Sequence, residues 1–588
     1  MIVPMQKVAL LCLASDREAT LDALREWGVM HLEPVQAPEG KDLDAARARL
    51  ARVNRALDAL PAASSGAVAS GEPVEQAVEN ILSALDRQRE CSEELEALRQ
   101  ERARLLPFGN FDPQALAELA AKGVHIRLYF LGAGRRPEAP DGVAIRILNK
   151  AKAGTYFAAV SREPVSLDAQ ELKMPELPLS EVERRIGDLE ARLAETHQSV
   201  QRFSADGASI RRYADELLEA VHFLEAREGM GAESAIAYLR GFCPSDKVEW
   251  LRRAAAENGW GLQVQEPSDE DGVPTLIRYP AWVKPIKAVF DFIGVLPGYK
   301  EIESSAVFLL FLGIFFGMIV GDAGYGLVFI ALTYWARRKM PKAPAYPFQL
   351  MYVMSVCTVV WGTITGTWLG ASRLPPLLDG FAITWLKDTN NVMLLCFMIG
   401  SIQLSVAHLW NAVRSLPSLG ALAQLGWIGT TWTMFFMARM MVIGHAFPSF
   451  MLNVFWVSVA LIVLFMMPVK QIKHEWFSFV MLPLNLVSNF VDVVSYVRLY
   501  AVGVAGFAVA NAFNEMVLAG GWRGIGYSLL AALILFAGHA LNILLCAMGV
   551  LVHGVRLNTL EFAAHLGTQW SGVPYRPFAR LNSENVDQ

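Results

Sequence analysis

Near residue 300 this chain changes material, and that change limits the fold more than any other feature. Residues 1 to about 290 are polar, charged and periodic. Residues 304–566 are a succession of apolar blocks: Ser304–Trp335, Phe348–Leu369, Asn391–Val413, Leu419–Ile443, Phe450–Pro468, Phe477–Val517 and Ile525–Leu557. Roughly 20 apolar residues cross a bilayer as a helix, so the second half reads as an all-α membrane domain and the first as a water-soluble one. Of 588 residues, 53% are hydrophobic and only 19% charged, below the ~25% charged of soluble domains. Disordered and collagen-like chains are excluded by these figures. A net charge of -5 gives no ground for nucleic-acid binding. Six scattered cysteines (Cys12, Cys91, Cys243, Cys357, Cys396, Cys546) contain no CxxC pair, which argues against a zinc site or a disulfide framework. Met1–Leu13 lacks a cationic stretch followed by a long apolar core, so no cleaved signal peptide is expected.

The soluble half opens with a predicted strand (Lys7–Leu13), helix (Arg17–Trp27) and second strand (Val29–Val35). AASSGAVASGEP, residues 62–73, reads as a flexible connection. Leu43, Ala46, Leu50, Val53, Leu57 and Leu60 step by three and four, and a longer series runs from Val182 through Ile186, Leu189, Leu193 and Val200 to Leu224. Such a seam wants a partner helix, and Val78–Leu105 is the obvious candidate. As one rod its 43 residues would extend roughly 64 Å. Short β-rich pieces (Val124–Leu131, Val143–Leu148, Tyr156–Ser161) lie between the helical arms, and a βαβ unit follows at Ala235–Phe242, Lys247–Asn258 and Gly261–Gln265. The expectation is two small α/β lobes joined by a long antiparallel coiled-coil arm, or a self-contained bundle. The predicted divisions are 1–290 for the soluble domain, 291–303 leading into the membrane, 304–566 for the membrane domain, and 567–588 for a C-terminal tail.

The first apolar block is interrupted by GDAGYG, with Gly321, Asp322, Gly324 and Gly326. If it is two short spans turning there, Arg337, Arg338, Lys339, Lys342, Arg414, Lys470 and Lys473 all fall on the side of the soluble domain. The opposite loops then hold only Arg373, Lys387 and Arg523, with Arg439 near a span end. The positive-inside rule favours this hairpin. It gives about eight helices, the last two long and tilted, with both termini cytoplasmic.

Those last two blocks carry the chemistry. In the sixth, Asn485, Ser488, Asn489, Asp492 and Ser495 recur at three or four residues and lead to Arg498 within SYVRLYAVGVAG; that spacing puts them on one helix face. Beyond it polar atoms return at Asn511, Asn514 and Glu515. In the last block His539, Asn542, Cys546, Gly549, His553 and Arg556 step by 3, 4, 3, 4 and 3, and Glu561 follows. The bland reading is helix–helix glue, with Asp492 and Arg498 as a buried salt bridge. Against it, a buried cation costs at least ~2.5–3.5 kcal/mol at the bilayer centre, and two arginines each end a polar stripe. A stripe wet on one side of the midplane is what an aqueous half-channel requires. No GxxxxGK[ST] loop is present and no cofactor is called for, so the energy must come from a partner.

At these residues the chain resembles subunit I (subunit a) of the V/A-type rotary ATPases, prokaryotic type. The resemblance rests on MQKVALLCLASDREATLDALREWGVMHLEPV, GFCPSDKVEWLRRAAAENGWGLQVQEP, VPTLIRYPAWVKPIKAVFDFIGVLPGYKEIE, FFGMIVGDAGYG, SYVRLYAVGVAG and HGVRLNTLEF. It implies a stator subunit that is no enzyme on its own, in a prokaryotic inner membrane, coupling H+ or Na+ translocation to ATP synthesis or hydrolysis. Its implied partners are a proteolipid ring, the peripheral-stalk E/G subunits and, through the complex, the central stalk and soluble ATPase subunits. Arg498 would be the essential channel arginine and Arg556 the second, both facing a ring carboxylate. The chain departs from the family where EIESS replaces Asp-Pro-Thr. It also has Gly506 and Cys546 where eukaryotic members have a His and often an acidic residue. Two rival readings are a self-sufficient secondary transporter, which should show an internal repeat, and a membrane-anchored scaffold.

Overall fold

The computed structural model describes residues 1–61, 71–135, 137–371, 375–466, 477–519 and 524–580. Most of the expected connection at 62–73 lies outside the described residues, as do Arg373, Lys470, Lys473, Arg523 and the end of the tail.

Among the described residues the soluble part is built on two larger sheets. In the first, β1 (Met5–Leu13) lies between β8 (Ile236–Pro244) and β9 (Gly261–Gln265) and is antiparallel to both. β2 (His31–Glu33) and β7 (Gly231–Glu233) add to β8. The β8–α7–β9 unit, with α7 at Val248–Glu257, is therefore split, with β1 inserted between its strands. Alternation places Val8, Leu10 and Cys12 on the buried face, where they meet Leu21 and Leu24 of α1 (Arg17–Trp27) and Leu251 of α7. The second sheet joins β3 (His125–Gly132), β4 (Ala144–Ala151), β5 (Gly154–Ser161) and β6 (Gln170–Glu171) in the order β4-β5-β3-β6.

Helices α2 (Lys41–Asp58), α3 (Val74–Leu105), α4 (Pro113–Ala121), α5 (Leu179–Arg202) and α6 (Gly207–Gly229) connect the two sheets along the chain. The long apolar series from Val182 to Leu224 is not one rod. A 3-10 turn at Phe203–Asp206 divides it, at a sequence (Ser204, Asp206, Gly207) whose short polar side chains and glycine favour local turns over a continuous helix. Each half finds its own partner. Leu179, Val182, Ile186 and Leu189 of α5 pack on Leu95 and Leu105 of α3, flanked by Arg99–Glu190 at 2.9 Å and Arg102–Glu183 at 3.1 Å. Ile210 and Ala214 of α6 meet Val53 and Ala56 of α2 together with Val78 and Ile81 of α3.

Below the head a strand pair β10 (Pro274–Thr275) and the short helix α8 (Lys287–Ile293) lead into an apolar bundle. There the first block is two helices, α9 (Ser305–Val320) and α10 (Ala323–Lys339), bent by 118°. The bundle continues with α11 (Ala345–Thr365), the single turn α12 (Pro376–Asp379), α13 (Thr389–Ser415), α14 (Gly420–Ala438) and α15 (Phe450–Phe465). It ends with α16 (Phe477–Ser495), α17 (Val497–Ala519), α18 (Ile525–Gly549) and α19 (Ala563–Leu566). α16 and α17 run on as one 41-residue apolar stretch, and α18 continues through two π-helical stretches (Val550–Gly554, Leu557–Phe562) into α19, 42 residues in all. Among the described residues four helices are individually long and apolar enough to cross a bilayer, or five with the bent pair taken as one span. Among the helices that miss this criterion, α9, α10 and α15 have only 16, 17 and 16 residues.

The C-terminal segment folds back onto the head. β11 (Val573–Pro574) pairs with β10, Tyr575 donates to the Val29 carbonyl at 2.8 Å, and the Phe578 amide donates to the Met30 carbonyl at 2.8 Å. The amide of Arg576 donates to His31 Nδ1 at 3.0 Å. Burial pushes the His31 imidazole below its ordinary value of 6.5. A depressed histidine stabilises docking above its unfolded pKa and loses that contribution as pH falls below about 6.5. Beside the sheet, the Lys7 ammonium holds Asp271 down to about 2, a contribution present above the ordinary carboxylate range and lost only between about pH 4 and 2. Protection of the Tyr575, Arg576 and Phe578 amides, measured by hydrogen exchange against the intrinsic rate at each pH, should therefore fall between pH 7.5 and 5.5 in the wild type, and His31→Gln should flatten that dependence.

Candidate functional site

The geometry begins at the GDAGYG break. Gly321 ends α9 in the left-handed region (φ 67°), a conformation glycine adopts without steric cost. Asp322 then caps α10. Its buried carboxylate, 5% exposed, accepts from the amides of Gly324 (2.8 Å) and Tyr325 (3.2 Å) and, across the bundle, from Leu369 (2.8 Å) and Gly370 (2.9 Å). One side chain thus fixes the bend and fastens the loop after α11 to it. Gly362 lies so close that an added Cβ would sit 2.1 Å from the Ala323 amide nitrogen. Gly324 and Gly326 are buried in the first turn of α10.

From the first turn of α10, Tyr325 reaches the last helices. Its hydroxyl lies 2.7 Å from His539 Nδ1 and accepts from Asn542 at 3.0 Å. His539 Nε2 is 3.2 Å from Asn514 Oδ1, and Asn542 also donates to the Gly506 carbonyl at 2.9 Å. The His539–Asn542 part of the predicted seam is therefore a closed network around a tyrosine.

The two arginines meet on one carboxylate. Glu561, 6% exposed, accepts through Oε1 from Arg498 and, at 3.2 Å, from the Ser495 hydroxyl. Arg556 Nε lies 3.5 Å from the same oxygen. Arg498 also donates to the Ser495 carbonyl at 2.9 Å and to the Ser495 hydroxyl. Its side chain is 22% exposed, whereas that of Arg556 is 55% exposed. The cluster holds two guanidiniums, which stay charged, and one carboxylate, so with Glu561 ionised it carries an excess positive charge. Arg556 sits between the two π-helical stretches; widened turns of this kind are rare and concentrate at functional sites.

Asp492 is placed differently from the expected ion pair with Arg498. Its Oδ2 lies 3.0 Å from His565 Nε2, because Glu561 and His565, four residues apart on the last helix, present adjacent partners to Arg498 and Asp492. Three stripe residues do not join the cluster. Asn489 is buried against α14, donating to Thr430 at 3.2 Å and accepting from Thr431 at 3.3 Å; this is the helix glue of the bland reading, worth of order 1 kcal/mol. Asn485 and Ser488 are exposed. His553, one turn before Arg556, is half-buried. Glu515 lies next to Asn514 near the end of α17, away from Glu561 in sequence and exposed.

Sequence reasoning missed several polar groups. Gln403 is fully buried, donating to Asn558 at 2.9 Å and accepting from Tyr496 at 2.8 Å. His408 and Gln424 join His565. Each stands alone in an apolar block, so no stripe announced it. On the far side from the head, a cavity of about 390 Å³ is lined by Gly321, Thr365, Thr367, Asp379 and Lys387 and reaches Leu499, Tyr500 and Gly503, the turn after Arg498.

These features define a multi-pass membrane protein with a folded soluble head and a paired-arginine site where its last two long helices meet. No family model matches the chain. Two relatives nonetheless match it nearly from end to end. It is 28% identical to the V-type ATP synthase subunit I of Borreliella burgdorferi, over 99% of this chain and 100% of that one. It is 29% identical to the V-type ATP synthase subunit I 1 of Treponema pallidum, over 98% and 100%. With the A-type ATP synthase subunit I of Methanocaldococcus jannaschii it shares 23% over 69% of this chain and 64% of that one. A solved cytoplasmic N-terminal domain of subunit I, homolog of subunit a of V-ATPase, aligns with 44% of this chain and 99% of its own length, at 16% identity and a TM-score of 0.23. Over nearly its whole length the chain is thus similar to V-type ATP synthase subunits I, and over about two thirds of it to an A-type counterpart.

Proposed function

We propose that this chain is the membrane stator of a V/A-type rotary ATP synthase, and that Arg498 with Arg556 separates two half-channels beside a turning proteolipid ring. The observation that carries this reading is the shared Glu561 cluster. Two guanidiniums on one internal carboxylate leave spare positive charge, which suits a second carboxylate arriving from a neighbour. Polar groups continue from the cluster toward the head through Asp492, while the far-side cavity ends one turn beyond Arg498. Among the described residues Arg498 and Arg556 are the cations at this cluster, an electrostatic barrier to a direct ion leak. An ion entering on one side neutralises a ring carboxylate, rides the ring through lipid and leaves by the other side.

In this reading the chain hydrolyses no ATP itself. Residues 304–566 form an eight-span ion-translocation domain and 1–290 a cytoplasmic collar. Its paired helices form the arm that meets the peripheral-stalk E/G subunits, and the central stalk and soluble ATPase subunits join through the complex. The docked C-terminal segment ties the arginine-bearing last helix to this collar, so force on the site reaches the stator head. The membrane would be the prokaryotic inner membrane, with both termini in the cytoplasm.

Copurification tests the assignment: a small multi-copy proteolipid and soluble ATPase subunits should accompany the tagged chain, and their absence would favour the scaffold reading. Asp492→Asn should slow ATP-driven transport in vesicles several-fold without loss of assembly. A wild-type rate would return Asp492 to a structural role.

A further inference from the structure

A line of polar groups, buried at its middle, leads away from the arginine cluster beyond Asp492. His408 of α13 is buried and stacks on the Trp427 ring, centroids 6.0 Å apart. Its Nδ1 lies 2.8 Å from Gln424 Oε1 and its Nε2 lies 2.8 Å from His565 Nδ1. His565 Nε2 in turn lies 3.0 Å from Asp492 Oδ2. Four groups from four helical segments thus stand in line, with both imidazoles largely shielded and both ends, Gln424 and Asp492, partly open. The Gln424 end lies one turn into α14, near the head, where Arg414 donates to the Lys300 carbonyl at 2.8 Å. The Asp492 end lies one turn from Ser495, within the arginine cluster. Asn411 donates to the His565 carbonyl at 3.0 Å. The nearest further charged group along the last helix is Glu561.

We infer that His408 and His565 form a proton wire feeding the Arg498 site from its head-facing end, and that the ion this chain carries is H+ and not Na+. The inference rests on the stator reading above. Two hydrogen-bond orders satisfy the line. In one, the Gln424 amide nitrogen donates to His408 Nδ1, His408 Nε2–H donates to His565 Nδ1, and His565 Nε2–H donates to Asp492. In the other, every proton has moved one place. Passage from the first to the second balances as follows. The His565 Nε2–H bond breaks as an O–H bond forms on Asp492, and His565 Nδ1 takes the proton leaving His408 Nε2. His408 Nδ1 takes one from water as the Gln424 amide turns to present its oxygen. One proton enters at His408 and one appears on Asp492; its release toward the ring interface leaves hydrogen on Nδ1 of both imidazoles, and a turn of each ring together with the return of the amide resets the line. Imidazole suits this role because each nitrogen can donate or accept near neutral pH. It does not suit a hard cation: Na+, like Mg2+ and Ca2+, wants carboxylate, carbonyl or water oxygens, and the middle of this line offers two ring nitrogens.

The test uses the whole ATPase complex in sealed vesicles, with interior acidification and radiolabelled sodium uptake followed side by side. Wild-type complex should acidify the lumen in sodium-free buffer, more slowly in heavy water. His565→Gln and His408→Gln should lower the acidification rate about tenfold or more, the scale of a lost proton-transfer group, while assembly and detergent-released ATP hydrolysis persist. Imidazole buffer should restore acidification to His565→Ala in proportion to its concentration, which a merely structural histidine would not allow. Sodium uptake without acidification, or wild-type rates in both glutamine variants, overturns the inference. Should the variants not assemble, a wild-type rate equal in light and heavy water overturns it instead. The stator reading fails separately, if Arg498→Ala pumps normally.

Discussion

Arg498→Ala should abolish ATP-driven ion uptake into vesicles, with a loss of at least about 100-fold expected for a removed electrostatic partner of the moving charge. Arg498 is also the closest cation to buried Glu561, and removing one member of a buried pair typically costs 3–5 kcal/mol through the charge left behind. A silent Arg498→Ala protein could therefore reflect a damaged bundle. The double variant Arg498→Ala/Glu561→Gln separates the two effects, because it removes the stranded carboxylate together with its partner. The double variant should assemble to near wild-type levels, recovering stability lost in the single one, yet still fail to pump. Arg498→Lys keeps a charge but replaces the two-pronged guanidinium with a point ammonium and should remain severely impaired. Coupled uptake at wild-type rate in the assembled double variant would remove Arg498 from the mechanism.

Glu561→Gln alone is informative in the opposite direction. It leaves Arg498 and Arg556 without their internal counter-ion, so the site should bind an external carboxylate more tightly. Tighter binding of a ring carboxylate slows its departure, and turnover should fall while assembly with the ring is retained.

How much of this was legible beforehand depended on whether a group's partner lay on its own helix. Helix periodicity places Asp492, Ser495 and Arg498 on one face, and the structure keeps them together. It does the same for His539 and Asn542. It could not say which neighbour each group meets. Asp492 goes to His565 and Arg498 to Glu561 because the last helix offers residues 561 and 565 in register with them, a relation between two segments some 70 residues apart. The same limit explains Asn489, which shares the stripe spacing but faces Thr430 and Thr431. In the soluble half, the apolar seam correctly marked helices needing partners. The short interruption at Phe203–Asp206 leaves the three-four spacing intact, so the division between α5 and α6 was invisible to it. The α1 boundaries, by contrast, followed from local signals, ending at Gly28 in the left-handed conformation.

Asp322→Ala should prevent accumulation of the folded protein altogether. The Asp322 carboxylate accepts four backbone N–H groups from two separate segments, in a site with little access to water. Hydrogen bonds to a charged group contribute about 1.5–3 kcal/mol each, and a buried donor left without a partner adds a desolvation cost of similar size. Four such losses approach or exceed the 5–15 kcal/mol that holds a typical fold together. Asp322→Asn retains a carbonyl oxygen that can accept from part of this set, so it should assemble partially, with a lowered Tm. The distinction matters for function, because Leu369 and Gly370 belong to the loop whose neighbours Thr365 and Thr367 line the far-side cavity. Loosening that loop in Asp322→Asn should alter access from the far side while leaving the head-facing groups Asp492, His565 and His408 in place. The expected signature is therefore slower pumping at equal amounts of assembled complex, with ATP-driven and reverse ion flow reduced alike. Wild-type amounts of Asp322→Ala complex in the membrane would show instead that the bend at Gly321 is held by packing alone.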